Sequence, residues 1–254
     1  MSIRAVLTDR DGTRLEGDGS VRREPLAGHA RLAAAGVPVF AVTSKTAAEI
    51  DELRAVLGLT TPAGFENGAG ITCADRSQEL LPEAVPVARL AQVADELRRT
   101  TAAPVRTLMQ LGDEEVASLT GLAPRHVALA RQRVATLPLL VEARWDEALR
   151  AALPSHPRLR LLRGNRFLHL QGDHEKAAVV RKLLATAGDR AGLVVACGDA
   201  PNDVALLAAA DVAVIVPGKD GPHPDLLAAH PGALIAPAPH GRGWAAVLAQ
   251  LLDR

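Results

Sequence analysis

Short apolar runs alternate with amphipathic stretches near the start of the chain. The runs predict strands over residues 3–8 and 37–42, and the stretches predict helices over 24–35 and 46–57. Short apolar runs bounded by turn residues are typical of buried strands, whereas apolar residues three and four positions apart are typical of helices. The order of strand, helix and strand favours a parallel sheet with helices on both faces.

The last part of the chain repeats this order. We predict helices over residues 175–187 and 202–209, and strands over 193–197 and 212–216. Residues 217–239 are rich in Pro and Gly, so we expect them to be mostly loop.

The middle of the chain has a different pattern of apolar and polar positions. Its pattern predicts helices over 87–97, 124–135 and 145–153, and strands over 139–141 and 159–162. Neither flanking half forms a complete sheet alone, so the two halves must join behind this insertion. The sequence therefore predicts the α/β class: a Rossmann-like parallel sheet core from residues 1–76 and 167–254, with an inserted α+β cap domain over 77–166.

Composition limits the possible classes of function. Hydrophobic residues make up 48% of the 254 residues, which is ample for a core and argues against disorder. The formal net charge is zero, so there is no basic field to hold nucleic acid or an anionic membrane. Aromatic residues are only 2% and Tyr is absent, which argues against platforms for stacking bases. We therefore expect neither nucleic acid nor a membrane as partner.

Cysteine usage and the start of the chain bear on location. Cys73 and Cys197 are far apart and have no CxxC neighbour, so we expect buried thiols in a reducing compartment. The segment before Asp9 is too short for a signal peptide, and no apolar run approaches membrane-spanning length. The expectation is a cytoplasmic protein, either a monomer or a homodimer.

Two carboxylates follow the first predicted strand, in the run Asp-Arg-Asp-Gly-Thr that begins at Asp9. Residues two apart on a strand face the same side, so Asp9 and Asp11 can converge on one ligand, and Gly12 allows a sharp exit. Paired carboxylates suit Mg²⁺, whose remaining ligands are water and substrate phosphate. One carboxylate would then attack phosphorus while the other moves a proton. The alternative is a surface Asp-Gly turn without chemistry.

A second polar cluster, Thr43, Ser44 and Lys45, follows the second predicted strand. Open α/β sheets bind ligands at the carboxyl ends of their strands, where a hydroxyl and helix amides would suit phosphate oxygens. The alternative is that Thr43 or Ser44 only caps the helix predicted from residue 46.

Lysine is rare in this arginine-rich chain, and Lys176 lies in the first turn of a predicted helix that Asp173 would cap. A cation there opposes the helix dipole, which makes more sense if the ammonium faces an anion. A compact ammonium suits a phosphoryl oxygen or a carboxylate beside a metal. Simple solvent exposure of Lys176 is the alternative.

Three oxygen-bearing side chains, Asp199, Asn202 and Asp203, crowd the turn after the predicted strand 193–197. Asn202 would serve as a helix cap alone, but a carboxylate at a buried strand end needs a partner, and a metal is an apt one. Taken together, the clusters supply a nucleophile, an acid or base, phosphate donors, a lysine and a metal carboxylate. Those are the parts of a phosphoryl-transfer site.

These clusters resemble the signature of the haloacid dehalogenase superfamily of phosphatases: Asp-x-Asp-Gly-Thr, then Thr or Ser, then Lys, then Gly-Asp-x-x-x-Asp. The resemblance implies that Asp9 is the nucleophile, that Asp11 is the general acid and then the base, and that Thr43 and Lys176 hold phosphate and carboxylate. It also implies Mg²⁺ as the cofactor. The implied metal ligands are Asp9, Asp11, Asp199 and Asp203.

The insertion, together with the run from Phe65 to Gly68, is similar to the subclass that carries a large α/β cap. Within it, the chain resembles the mannosyl-3-phosphoglycerate phosphatase family at short runs spread over nearly the whole length. Those runs are 42–46, 66–70, 119–122, 163–169, 236–239 and 243–244. The substrate-binding residues implied by the runs 42–46 and 66–70 are Ser44, Lys45, Glu66 and Asn67. The candidates for the substrate's carboxylate or sugar are Arg131, Arg133, Arg163, Arg166 and His169, because Arg pairs with carboxylates through two hydrogen bonds. The alternatives are solvated surface charges for the arginines and a satisfied, half-buried ring for His169.

One run departs from that family. Where the family tends to have Arg-Glu-aromatic-Ser/Asp-Glu, residues 131–135 read Arg-Gln-Arg-Val-Ala. Cap residues select substrates in this subclass, so the reaction is better specified than the substrate.

The sequence thus predicts a Mg²⁺-dependent phosphomonoesterase that acts through an aspartyl-phosphate. Its substrate would be a small-molecule phosphate ester: a mannosyl- or glucosyl-3-phosphoglycerate, or another small sugar phosphate. A sugar phosphomutase would use the same residues but return the phosphoryl group to the sugar. A phosphoacceptor signalling protein also combines acids, Thr and Lys on a parallel sheet, but would keep its aspartyl-phosphate without turnover.

Overall fold

The computed structural model describes residues 2–9, 23–57, 59–188 and 191–253. The strands are β1 (Ile3–Thr8), β2 (Val39–Ala41), β3 (Ala63–Phe65), β4 (Gly70–Thr72), β5 (Gln78–Leu80), β6 (Arg106–Thr107), β7 (Thr136–Leu140), β8 (Leu159–Arg163), β9 (Leu168–Gly172), β10 (Leu193–Gly198), β11 (Val212–Ile215) and β12 (Leu234–Ile235). The α-helices are α1 (Arg23–Ala34), α2 (Ala47–Leu57), α3 (Val87–Thr101), α4 (Asp113–Thr120), α5 (Pro124–Ala130), α6 (Asp146–Ala152), α7 (Val180–Ala185), α8 (Val204–Ala208), α9 (Pro224–Ala229) and α10 (His240–Leu252).

Within the described residues, five strands form a parallel sheet in the order β12-β11-β10-β1-β2. The strand order reverses at β1, which has β2 on one side and β10 on the other. Ligands bind at such a switch point in open α/β sheets. The predicted α/β class and parallel sheet are confirmed.

Helices cover both faces of the parallel sheet. On one face, α7 and α8 contribute Leu183 and Leu206 to the core. On the other, α1 and α10 contribute Leu32 and Trp244. Because both faces are buried, the strands are largely apolar and do not alternate, apart from Arg4 and Thr8 in β1, which is why they were visible in the sequence as nearly continuous runs.

A three-stranded antiparallel unit, in the order β3-β4-β5, extends the edge of the parallel sheet. It is attached through a parallel bridge between Val42 and Gly64. The prediction began the insertion at residue 77, but β5 pairs with β4 and so belongs to this unit.

A second sheet, antiparallel and in the order β6-β7-β9-β8, lies in the insertion, by which we mean residues 87–172. Helices α3 and α6 pack Leu90 and Leu149 against it. Strand β9 pairs with both β7 and β8, so residues 168–172 lie in this sheet and not in the core to which the prediction gave them. Only pairing across the chain reveals this, since the run itself suits either sheet.

Several predicted elements differ locally. Helix α5 ends at Ala130 and not at residue 135. The helix predicted over 175–187 starts at Lys176 as a 3₁₀ turn, so Asp173 is not its cap and instead forms an ion pair with Arg160. The elements that were not predicted are helices α4, α9 and α10 and strands β3, β4, β5, β6 and β12. None of the described helices combines the length and hydrophobicity that a membrane span requires.

Candidate active site

Three of the predicted clusters meet at the carboxyl ends of adjacent parallel strands. Asp9 directly follows β1, Asp199 directly follows β10, and Thr43 lies two residues after the end of β2. Register pairing of β1 with both neighbours brings these strand ends together. Asp11, which the motif pairs with Asp9, lies outside the described residues.

Lys176 links the clusters. Its ammonium is fully buried and lies 2.8 Å from Asp9 Oδ1 and 2.6 Å from Asp203 Oδ1. Burial alone would lower the pKa of Lys176, but the charges of Asp203 and Asp9 and their hydrogen bonds raise it above its usual value. The lysine is therefore a fixed cation between two carboxylates.

Asp203 organises the turn after β10. Its Oδ2 accepts hydrogen bonds from the backbone N–H groups of Asp199 (3.0 Å) and Ala200 (3.1 Å), while Oδ1 accepts from Lys176. Gly198 permits this packing, because a Cβ at that position would lie 2.5 Å from the Cβ of Asp203. Both carboxylate oxygens of Asp203 thus have protein partners.

The described residues include one group of carboxylates suited to a metal ion. Asp9, Asp199 and Asp203 each offer an oxygen, and these oxygens lie within 4.8 Å of one another. Hard oxygen donors of this kind fit Mg²⁺. Each of these carboxylates also has a protein partner: Asp9 pairs with Lys176, Asp199 accepts from Asn165, and Asp203 accepts from Lys176 and two backbone N–H groups.

The loop after β2 has its own local order. The Thr43 side chain is fully buried, and its Oγ1 accepts a hydrogen bond from the Lys45 backbone N–H at 3.2 Å. Helix α2 is capped by a different pair: Thr46 N–H donates to Glu49 Oε2, and Glu49 N–H donates to Thr46 Oγ1. The sequence-based alternative, in which Thr43 or Ser44 caps this helix, is therefore wrong.

A cavity of about 660 Å³ opens between these strand ends and the insertion. On the sheet side, its polar walls include Asp9, Ser44, Lys45, Asp199 and Asn202. On the insertion side, the wall is largely apolar and carries a few polar groups. It includes Leu108, Val116, Leu122, Pro138, Phe167, Arg133, Arg166 and His169.

His169 is a buried polar group in this wall. Burial lowers its pKa to about 3, and the neighbouring charges of Arg133, Lys176 and Arg163 act in the same direction. The ring is therefore neutral at physiological pH. A neutral imidazole suits a hydroxyl group better than a second anion.

Glu66 and Asn67 do not line the cavity. The buried Glu66 carboxylate accepts hydrogen bonds from the N–H groups of residues 134–136 and from the Thr136 hydroxyl. These bonds hold the segment that follows α5, which ends at Ala130. Asn67 donates to Gln171 and accepts from Asn202. Both predicted substrate residues instead join the core to the insertion.

Arg131 also lies away from the cavity. It donates to the Leu111 carbonyl at 2.6 Å and forms an ion pair with Asp113 at 2.8 Å. Arg133, two residues later, lines the cavity. The sequence prediction of Arg131 as a substrate residue is therefore not supported by its position.

The sequence analysis missed some cavity residues. The segment 218–224 and His240 line the cavity, although the run was expected only to be loop. Asn165 donates to Asp199 Oδ2 at 2.9 Å, so the turn between β8 and β9 touches the carboxylate cluster. The Gly and Pro residues of 217–239 were a signal of a shaped loop, but nothing in them indicated its position.

Comparison with known proteins places the fold. No protein-family model matches the chain. A glucosyl-3-phosphoglycerate/mannosyl-3-phosphoglycerate phosphatase from Persephonella marina is 24% identical, over 94% of this chain and 93% of its own length.

Solved structures agree along nearly the whole chain. A haloacid dehalogenase-like hydrolase from Bacillus subtilis superposes with a TM-score of 0.73 at 15% identity, over 98% of this chain and 100% of that chain. A haloacid dehalogenase subclass IIB sugar phosphatase gives 0.70 at 16% identity, over 98% of each chain. A phosphatase of the superfamily from Bacteroides thetaiotaomicron gives 0.70 at 19% identity, over 99% and 94%. The chain therefore has the haloacid dehalogenase fold, as the sequence motifs predicted.

Proposed function

We propose that this protein is a Mg²⁺-dependent phosphomonoesterase that acts through an aspartyl-phosphate on Asp9. The observation that carries the proposal is the fully buried Lys176 ammonium between Asp9 and Asp203 at the switch point of a parallel sheet. Similarity to a named phosphatase over 94% of the chain supports the reaction class.

Each acidic residue of the site has its own role in the proposed reaction. Asp9, kept ionised by Lys176, attacks phosphorus, and the bond from phosphorus to the ester oxygen breaks. Asp11, assigned from its motif, gives a proton to the leaving oxygen and then takes one from the water that hydrolyses the acyl phosphate. Asp9 and Asp199 would hold Mg²⁺, which offsets the repulsion between a carboxylate and a phosphate dianion.

Thr43 and the loop around Ser44 and Lys45 would bind the phosphoryl oxygens. The insertion would serve as the cap that excludes water over the cavity. Uncatalysed hydrolysis of phosphate monoesters is among the slowest reactions, with enzymatic accelerations up to about 10²¹-fold. A shielded site is consistent with that requirement.

The substrate we propose is a glucosyl- or mannosyl-3-phosphoglycerate or a related sugar phosphate. Three observations support it: the activity of the Persephonella marina relative, the cavity of about 660 Å³, and a wall with apolar side chains and a neutral His169. Cys73 and Cys197 form no disulfide, which agrees with a cytoplasmic enzyme. A monomer or a homodimer remains our expectation.

A phosphate-release screen tests the proposal. Glycosyl-phosphoglycerates, hexose phosphates and nucleotides are offered with MgCl₂ and, separately, with excess chelator. We expect glycosyl-phosphoglycerates to release inorganic phosphate in MgCl₂, and no phosphate release in excess chelator. An isomerised sugar phosphate without phosphate release would indicate a phosphomutase. A stable phosphoprotein without turnover would indicate a phosphoacceptor.

A further inference from the structure

One segment of the insertion, residues 129–136, makes several polar contacts to the core. The Thr46 hydroxyl donates to the Leu129 carbonyl at 2.9 Å. Farther along, the Glu66 carboxylate accepts from the three N–H groups of 134–136. All four of these contacts end on backbone atoms of the segment, so they hold its main chain against the core.

Arg133 lies in the middle of this segment and reaches the loop after β2. Its Nη1 donates to the Ser44 carbonyl at 2.6 Å and to the Thr136 hydroxyl at 3.1 Å, and its Nε donates to the Ala130 carbonyl. Its Nη2 lies 4.0 Å from Glu49 Oε2, and the side chain is only 7% exposed. A planar guanidinium shielded from water holds such acceptors in a fixed relation.

The Ser44 carbonyl controls the next N–H group. The peptide between Ser44 and Lys45 is planar, so fixing the carbonyl oxygen also fixes the direction of the Lys45 N–H. That N–H donates to Thr43 Oγ1 at 3.2 Å. A hydroxyl that accepts this bond has its own hydrogen left to donate to a phosphoryl oxygen.

We propose that Arg133 is a positioning residue for the phosphoryl group. From the insertion, it fixes the Ser44–Lys45 peptide and thereby the Thr43 hydroxyl, so phosphate binding is complete only when the insertion sits on the sheet. The inference rests on the proposed function, since it takes this loop to be the phosphate-binding loop.

The test compares Arg133→Met and Arg133→Lys with a control, Arg150→Met. Arg150 also lies in the insertion, donates to a carbonyl, that of Leu161, and has the Asp146 carboxylate 4.0 Å away. Both partners belong to the insertion, and the side chain is 48% exposed, so this variant removes an arginine and its carbonyl bond without touching the loop after β2.

Two kinds of measurement are made in MgCl₂. Calorimetry gives the dissociation constant of inorganic phosphate, and steady-state kinetics give KM and kcat for p-nitrophenyl phosphate and a sugar phosphate. Arg133→Met should weaken phosphate about tenfold and raise both KM values by the same factor, because a buried charged hydrogen bond is lost. Arg133→Lys keeps the positive charge and one donor group, so its phosphate affinity and KM values should lie between those of the wild type and Arg133→Met. Arg150→Met should match the wild type.

Two results would overturn the inference. A higher KM for the sugar phosphate alone would mean that Arg133 contacts the leaving group. A lower melting temperature with unchanged phosphate affinity and KM would mean that Arg133 is only structural. The phosphate measurement needs no turnover, so a wild-type protein that binds phosphate but hydrolyses no ester would refute the proposed function and leave this inference to be judged by its own variants.

Discussion

The Lys176 ammonium lies 2.8 Å from Oδ1 of Asp9, although the two residues are separated by most of the chain. The ion pair is almost completely shielded from water, with side chains 0% and 7% exposed. The carboxylates of Asp203 and Asp9 raise the pKa of Lys176, so a cation is held beside the oxygen that we propose as the nucleophile.

Replacing the nucleophile should stop the reaction without unfolding the protein. Asp9→Asn keeps the shape and one acceptor for Lys176, and should lower kcat by at least about 10³-fold. Phosphate release and the melting temperature are measured together. Asp173→Asn, an exposed carboxylate paired with Arg160, should behave as the wild type. Appreciable turnover by Asp9→Asn would show that Asp9 is not the nucleophile.

Removing the lysine should cost both stability and activity. Lys176→Met leaves Asp9 and Asp203 buried without their cation, which should lower the free energy of unfolding by about 3 to 5 kcal/mol. The measurement is denaturant unfolding. The control Lys182→Met removes an exposed ion pair with Glu79 and should change it by less than about 1 kcal/mol.

A second variant separates the two effects. Lys176→Met combined with Asp203→Asn removes one of the unpaired carboxylates, so part of the stability should return while hydrolysis stays lost. Full activity in the stabilised double variant would contradict a chemical role for Lys176.

His169 should make the protein less stable in mild acid. Its pKa is about 3 in the folded chain and near 6.5 when unfolded, so only the unfolded state takes up a proton as pH falls below 6.5. The stability is fully present above pH 6.5 and declines towards pH 3. Between pH 7.5 and pH 5 the loss from this residue is about 2 kcal/mol.

Denaturant unfolding of His169→Gln at the two pH values measures this contribution. The variant should lose about 2 kcal/mol less than the wild type between pH 7.5 and pH 5, since Gln does not titrate. His126→Gln, at a partly exposed position beside Glu52, should follow the wild type. Parallel losses in His169→Gln and wild type would show that the imidazole is not held neutral.

Mg²⁺ affinity should depend on Asp199. Asp199→Asn removes a carboxylate from the group that includes Asp9, and should weaken Mg²⁺ binding about tenfold or more, as calorimetry on the protein without substrate would measure. Asp95→Asn, on the exposed side of α3, is the control. Equal Mg²⁺ affinity in Asp199→Asn and Asp95→Asn would show that Asp199 does not bind the metal.

Glu66 should matter for stability and not for substrate recognition. Glu66→Gln presents an amide to donors that need an acceptor, which should lower the free energy of unfolding by about 2 kcal/mol. KM for the physiological ester should not rise more than KM for p-nitrophenyl phosphate. The exposed Glu142→Gln is the control. A selective rise in KM at full stability would restore the prediction made from sequence.

The sequence by itself determined the parallel-sheet fold and the chemistry at the strand ends. Asp9, Thr43 and Asp199 each follow an apolar run directly. Their convergence was predictable, because parallel strands always bring their carboxyl ends to one edge. Lys176 was predictable for a related reason, as a cation at a helix start.

Only the tertiary structure decided which polar residues face the cavity and which fasten the insertion to the core. Glu66 reaches N–H groups about seventy residues away, and of the two candidates Arg131 and Arg133 it is Arg133 that lies in the cavity wall. Local pattern indicates strand, helix and turn. It carries no information on where a long side chain ends, because that depends on which surfaces pack together.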